Sequence, residues 1–155
     1  MRISAKADYA LRATAQLALD AAGGTPVKAS RIAAEQDIPL KFLQGVLAEL
    51  KRARIVRSTR GPEGGFLLGR PAEEITLADV YRAVDGPLIN VRDARLTELQ
   101  YAGPAEPLRE VWMAARTSLR NVLEQVTLAE IASGGLPEAI TLLADQYRND
   151  VRIYQ

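Results

Sequence analysis

The chain has 155 residues, a formal net charge of +1, and neither cysteine nor histidine. Those two absences exclude disulfides, thiolate zinc sites, cysteine-ligated iron–sulfur clusters and any catalytic triad built on an imidazole. Apolar residues make up 48% and charged residues 25%, the balance of a soluble globular chain, not a disordered or collagen-like one.

Ser4 is placed to cap a first helix over about 5–22, where Ala7, Ala10, Leu11, Thr14, Leu17, Ala18 and Ala21 recur at helical spacing before Gly23-Gly24. Arg12, Gln16 and Asp20 interrupt this apolar stretch, so it predicts neither a membrane span nor a signal peptide, and the expected compartment is the cytoplasm. A short helix follows over 28–36, with Ile32 and Ala33 inward, and Asp37-Ile38-Pro39 breaks it. A third helix over 39–53 has Phe42, Leu43, Val46, Leu47 and Leu50 as its inward set. Its opposite stripe, Lys41, Gln44, Gly45 and Ala48, is polar or small at i, i+3, i+4, i+7 spacing. The period then changes. Residues 55–60 read as a strand, Gly61-Pro62-Glu63-Gly64-Gly65 as a turn, and Phe66-Leu67-Leu68 as a second strand.

Thr76 caps an expected fourth helix over 77–84, with Leu77, Val80, Tyr81 and Val84 inward. Residues 87–106 have no clear period, and a loop this long in a compact chain is usually functional or mobile. A long helix over 107–126 carries Leu108, Trp112, Ala115, Leu119, Val122 and Val126 at alternating steps of four and three, a heptad-like seam suited to a dimer contact. A stretch at 127–133 and a last helix over 137–150, with Ile140, Leu143, Ala144 and Tyr147 on one side, complete the chain. The fold class is mainly α with a small β-hairpin. The expected division is a winged helix-turn-helix unit over 1–85, a connecting and possible effector loop over 86–106, and a dimerisation helix with C-terminal helices over 107–155.

Residues 28–70 hold nine basic side chains against four acidic ones, a local +5 in a nearly neutral chain. Helix, short helix, tight turn, helix and hairpin, inside a basic block, is the order of a winged helix-turn-helix, which lays its third helix in the DNA major groove. Lys41 and Gln44 are the candidate base readers, since glutamine can donate and accept at an adenine edge and lysine can reach guanine or phosphate. Gly45 and Ala48 remove bulk so that the helix can approach closely. Lys51, Arg52, Arg54 and Arg57 are candidate phosphate neutralisers, with Lys28 and Arg31 weaker ones. In the hairpin, Arg60 is the candidate for the minor groove. Ser58, Gly61, Gly64 and Gly65 form a tip able to lie against DNA.

The stretches Lys6-Ala7-Asp8-Tyr9-Ala10-Leu11-Arg12, Ile32-Ala33, Phe42-Leu43, Ser58–Leu68, Arg70-Pro71, Ile75–Val80 and Val84-Asp85-Gly86 resemble the Rrf-two family of bacterial regulators, whose members include the IscR, NsrR and CymR types. The resemblance implies a homodimer in which the long helices pair and place two wings on a palindromic site. Many members bind an iron–sulfur cluster through three cysteines in the loop after the fourth helix, and some add an acidic ligand from helix one, where Asp8 stands here. The corresponding loop, 88–106, has no cysteine, so no cofactor is expected and no metal ligands are assigned. Asp37 replaces the usual turn glycine, and Gln44-Gly45 replaces a Glu-Gln pair read by some relatives.

The expected function is therefore a cysteine-free, DNA-binding transcriptional regulator, a repressor by family, acting as a homodimer on double-stranded DNA. The alternative is a winged-helix module that binds protein, which would expose apolar residues on the third helix. An enzyme is not expected. A small-molecule or protein effector is the candidate signal, in a region marked by Arg92, Arg95, Tyr101 and Trp112.

Overall fold

The computed structural model describes residues 2–150. Its elements in chain order are α1 (Ala5–Asp20), α2 (Ala29–Gln36), α3 (Leu40–Arg52), β1 (Val56–Thr59), β2 (Gly65–Leu68), α4 (Leu77–Asp85), α5 (Leu108–Glu124), α6 (Leu128–Ser133) and α7 (Glu138–Asn149), with short 3-10 turns between them. This is the expected mainly helical fold with one antiparallel hairpin, in which Val56 pairs Leu68 and Thr59 pairs Gly65. No helix among the described residues is long and apolar enough to cross a membrane. The expected C-terminal unit ran to 155, and 151–155 lie outside the described residues.

Helix α1 is the central pillar. Ser4 caps it by accepting from the Ala7 N–H at 2.9 Å and donates to Asp85 Oδ2 at 2.5 Å, which ties its start to the end of α4. Ala7, Ala10 and Ala13 are fully buried, and their small side chains let α2, α3, α4 and α6 close around one helix. Thr14 is buried too, and its hydroxyl donates to the Ala10 carbonyl at 2.8 Å. Leu43, Val46, Leu47 and Leu50 of α3, Ile32 of α2, Val80 of α4 and Leu128 of α6 fill the rest of the core. Burial, and then the Asp85 carboxylate, push the Tyr81 phenol above its ordinary pKa, so it stays a neutral core side chain.

One expected face differs. Phe42, placed inward by its spacing, is 47% exposed, with its ring edge-on to Tyr9 at 5.3 Å. The apolar side of α7 is also open: Leu143 and Tyr147 are about half exposed, and no α7 residue is buried. Helical spacing identifies an apolar stripe but not whether its cover comes from the same chain.

The segment after α5 returns to the first unit. The Leu77 N–H donates to the Val126 carbonyl and the Leu128 N–H to the Ile75 carbonyl, both at 2.9 Å, an antiparallel bridge that buries Val126 and carries Leu128 into the α1 core.

Candidate nucleic-acid interface

The α2–α3 pair is set by its turn. Asp37 sits in the left-handed region at φ 50°, ψ 52°, and the following Ile38 N–H reaches back to the Ala33 carbonyl at 2.9 Å. Asp is one of the few side chains that tolerate this region, so the turn forms without glycine. Arg12 of α1 donates to the Gln36 carbonyl at 2.6 Å, and the Gln36 amide donates to Gln16 at 2.8 Å. These bonds fix the end of α2 against α1, so α3 emerges at a defined angle with Lys41, Gln44, Gly45 and Ala48 all exposed. A Cβ added at Gly45 would meet nothing within 4 Å. The glycine has no packing reason within the chain.

The end of α3 is unusual. Arg54 is in the left-handed region at φ 60°, the place where glycine usually ends a helix. Its N–H donates to the Lys51 carbonyl at 3.0 Å and the Ile55 N–H to the Leu50 carbonyl at 2.9 Å, closing the helix while Ile55 and Leu50 pack together in the core. Sequence reasoning named Arg54 for its charge and missed its backbone.

The wing is anchored by a third strand-like contact. Val27 and Phe66 exchange both backbone hydrogen bonds, at 2.8 and 2.9 Å. Two glycines of the expected tip have a reason within the chain as well. A Cβ at Gly65 would lie 2.6 Å from the Val27 carbonyl oxygen, and one at Gly64 would strike the Thr59 carbonyl oxygen. Both are glycine because the hairpin closes on its own backbone, whatever lies beyond the tip. Gly61, at φ 102° in open space, serves the turn. Arg57 and Arg60 are exposed and Ser58 is half-buried.

Lys28, Lys41, Lys51, Arg52, Arg54, Arg57 and Arg60 are all exposed, and among the described residues none has a carboxylate oxygen within 4.0 Å. Arg31 is the exception in the expected set. Its guanidinium faces Glu35 at 2.9 Å and Asp20 at 3.4 Å, and the Glu35 bond and then the Asp20 charge raise its pKa. It is already neutralised and is the weakest phosphate candidate.

The expected dimer seam divides. Leu108 is 39% exposed, and the neighbouring Val111, which the seam omitted, is 53% exposed. Ala115 and Val122 are half-buried. Val126 is buried against its own chain and Leu119 packs on the α1 core, which corrects their assignment to a partner contact: the bridge to α4 turns this end of the helix inward. Trp112 also has a partner within the chain, donating to the Tyr101 hydroxyl at 3.1 Å, with the Arg92 guanidinium 5.8 Å from the Tyr101 ring. Arg95 lies apart from that group, paired loosely with Glu98 at 3.9 Å.

Asp8 faces Arg12 at 3.1 Å, and among the described residues no three acidic, cysteine or histidine side chains gather as metal ligands. This donor set does not suit a thiolate-held iron–sulfur cluster, which needs cysteine.

The family described as “Rrf2: Iron-dependent Transcriptional regulator” matches residues 3–134. A Mycobacterium tuberculosis protein named “Putative HTH-type transcriptional regulator Rv1287” is 55% identical over 96% of this chain and 91% of its own length. The IscR regulator of Serratia proteamaculans is 32% identical over 98% of this chain and 90% of its own. Among solved structures, CymR, the global cysteine regulator of Bacillus subtilis, superposes with a TM-score of 0.71 at 30% identity, covering 86% of this chain and 97% of that one. The winged-helix fold, the basic outer face and these matches together establish that the chain belongs to the Rrf2 family of transcriptional regulators.

Proposed function

We propose that the chain is a homodimeric, sequence-specific DNA-binding regulator that occupies an inverted-repeat operator in the cytoplasm and represses from it. The observation that carries this reading is the run of seven exposed cations without carboxylate partners around the open face of α3. A surface built only for solubility intersperses both signs, whereas a surface left uncompensated matches a polyanion. In this reading α3 enters the major groove. Gln44 takes an adenine edge and Lys41 a guanine edge or a phosphate. Arg60 reaches the minor groove, while Lys28, Lys51, Arg52, Arg54 and Arg57 neutralise phosphates.

Two residues support it independently. Glycine inside a helix costs about 0.5–1 kcal/mol relative to alanine, and a non-glycine residue in the left-handed region costs roughly 1–2 kcal/mol. Gly45 and Arg54 are each the less stable choice at their position. Both lie on the proposed DNA face, one supplying closeness and the other charge. The exposed Leu108 and Val111 of α5, with the half-buried Ala115 and Val122, are the proposed contact with a second copy. No resident cofactor and no catalytic activity form part of the reading.

One observation favours the alternative of a protein-binding winged helix: Leu40 and Phe42 are 42% and 47% exposed on α3. They flank Lys41, and Phe42 shares a shallow surface with Lys6, Lys41, Gly45 and Glu49, so this patch is small and rimmed by charge. Selection of bound genomic fragments by the purified protein, with its mass measured in solution, tests the proposal. A two-fold symmetric motif bound by a dimer is expected, with half-sites one or two helical turns apart. A monomer that enriches nothing overturns it. Transcription from a promoter carrying the motif should fall when the protein is added, and a rise overturns the repressor assignment.

A further inference from the structure

A cleft of about 850 Å³ lies between the end of α4, the loop over 86–97 and α5. It shares no residue with the proposed DNA face. Four arginines line it: Arg82 from α4, Arg95 from the loop, and Arg116 and Arg120 from α5. Only two carboxylates line it with them, Asp93 and Glu124. Glu124 is shared between Arg82 and Arg120, and its approach to Arg120 is loose, at 3.8 Å. Asp93 accepts from the Asn90 amide at 3.3 Å. Arg116 has no carboxylate within 4.0 Å among the described residues.

From outside the cleft Asp79 faces Arg82 at 3.7 Å and Glu98 faces Arg95 at 3.9 Å, so Arg116 is the guanidinium left without a carboxylate among the described residues. Each guanidinium carries five donors in a fixed planar fork, and these pairings leave donors for a further anion. Arg116 and Arg120 stand at i, i+4, which puts two like charges on one face of α5, an arrangement that mildly destabilises a helix. The remaining lining is apolar where it is deepest, with Leu88 and Leu96 buried, and Met113 closes the α5 side. The volume falls in the range of small-molecule sites and is far larger than a single inorganic ion needs.

We infer that this cleft binds a small organic polyanion, a di- or tricarboxylate or a phosphate ester, whose acidic groups bridge Arg116 and Arg120 to Arg82 or Arg95. Arg82 belongs to the reading unit through α4, and Arg116 and Arg120 to the helix proposed to pair with a second copy. A ligand held by both sets the angle between them, and with it the spacing of two recognition helices. Such a ligand shifts DNA affinity only as far as it prefers one angle over the other. This regulatory half rests on the DNA-binding reading; the binding half does not.

The test is calorimetric titration of the full chain with citrate and, separately, pyrophosphate, at ionic strength held constant with chloride. Saturable binding near one per protomer is expected, weakened at least tenfold by Arg116→Ala and by Arg120→Gln, with the unliganded unfolding temperature of each variant not lowered. Lys51→Ala, on the DNA face, should leave it intact. Preference for one probe separates carboxylate from phosphate chemistry. Absence of saturable binding of both probes overturns the proposal. So does binding that survives Arg116→Ala and vanishes in Lys51→Ala, which would place the anion on the DNA face. If the anion binds and DNA affinity at constant ionic strength stays the same, the cleft stands and its regulatory role falls. If the anion binds and the chain ignores DNA, the regulator reading falls while the site remains.

Discussion

The two halves of the molecule leave opposite chemistry facing outward. In the N-terminal unit most large apolar side chains go inside, with Ile3, Leu19, Leu40 and Phe42 the exposed exceptions, and the cations of α3 and the wing stand without carboxylate partners. In the C-terminal region the pattern reverses. Arg95, Arg109, Arg120 and Arg148 each face a carboxylate, with Arg116 the exception in the cleft. Meanwhile Leu108, Val111, Ile131, Leu136, Leu142, Leu143 and Tyr147 remain exposed, and neither α5 nor α7 contains a buried residue. Each surface holds what a lone folded chain in water would suppress: uncompensated charge in one, uncovered hydrocarbon in the other. The difference teaches that, in the proposed reading, the two halves call for different partners, a polyanion in the first case and an apolar surface in the second.

The sharpest way to break this comparison is to put charge on the apolar half. Val111→Glu, alone or with Leu108→Glu, should give a folded monomer by sedimentation, because neither side chain is buried in the protomer. Its affinity for an inverted-repeat site should fall by about 10²–10⁴-fold, because the second half-site is no longer bound intramolecularly. A variant that stays dimeric, or one that binds the full site as well as before, would remove α5 from the dimer contact.

Within the charged half, base readers and phosphate neutralisers should separate. Gln44→Ala should cost roughly 1–3 kcal/mol on the preferred sequence and little on random DNA, relaxing the motif at one position per half-site. Arg57→Ala should instead weaken all sequences alike and flatten the log–log salt dependence by about one unit per subunit. Arg31→Ala should change that slope least of the basic set, since Asp20 and Glu35 already neutralise it. Equal losses on specific and random DNA for Gln44→Ala and Arg57→Ala would dissolve the distinction.

Much of the reading unit was legible in the sequence because its cover comes from its own chain. The spacing of Leu43, Val46, Leu47 and Leu50, the Thr76 cap and the Asp37 turn are local signals, and the structure repeats each of them. What sequence reasoning missed has two causes. An apolar stripe has the same period whether a core or a second molecule covers it, so spacing alone puts Phe42 inward and Val126 on a partner contact, the reverse of their burial. A glycine likewise does not say which backbone comes close to it. Gly64 and Gly65 were assigned to DNA approach and are explained by Thr59 and Val27, whereas Gly45, on the same proposed face, has no such neighbour. No sequence signal marked Arg54 as left-handed.

That contrast among glycines gives the smallest effects and the closest test of what the reading face gives up. Gly45→Ala should stabilise the fold by about 0.5–1 kcal/mol, since an added methyl meets open space and the helix gains a better former. Arg54→Gly should stabilise it by a similar ~1 kcal/mol by relieving the left-handed backbone. In a chain of this size each should raise the unfolding temperature by roughly 2–4 °C. Both should nonetheless weaken DNA binding, the first by holding the α3 backbone off the groove and the second by removing one cation. Gly65→Ala is the control of opposite sign: its methyl would press on the Val27 carbonyl, so the unfolding temperature should drop. Stability and DNA affinity that rise together in Gly45→Ala or Arg54→Gly would mean that these residues are not there for DNA, and the cationic half would lose its two most specific witnesses.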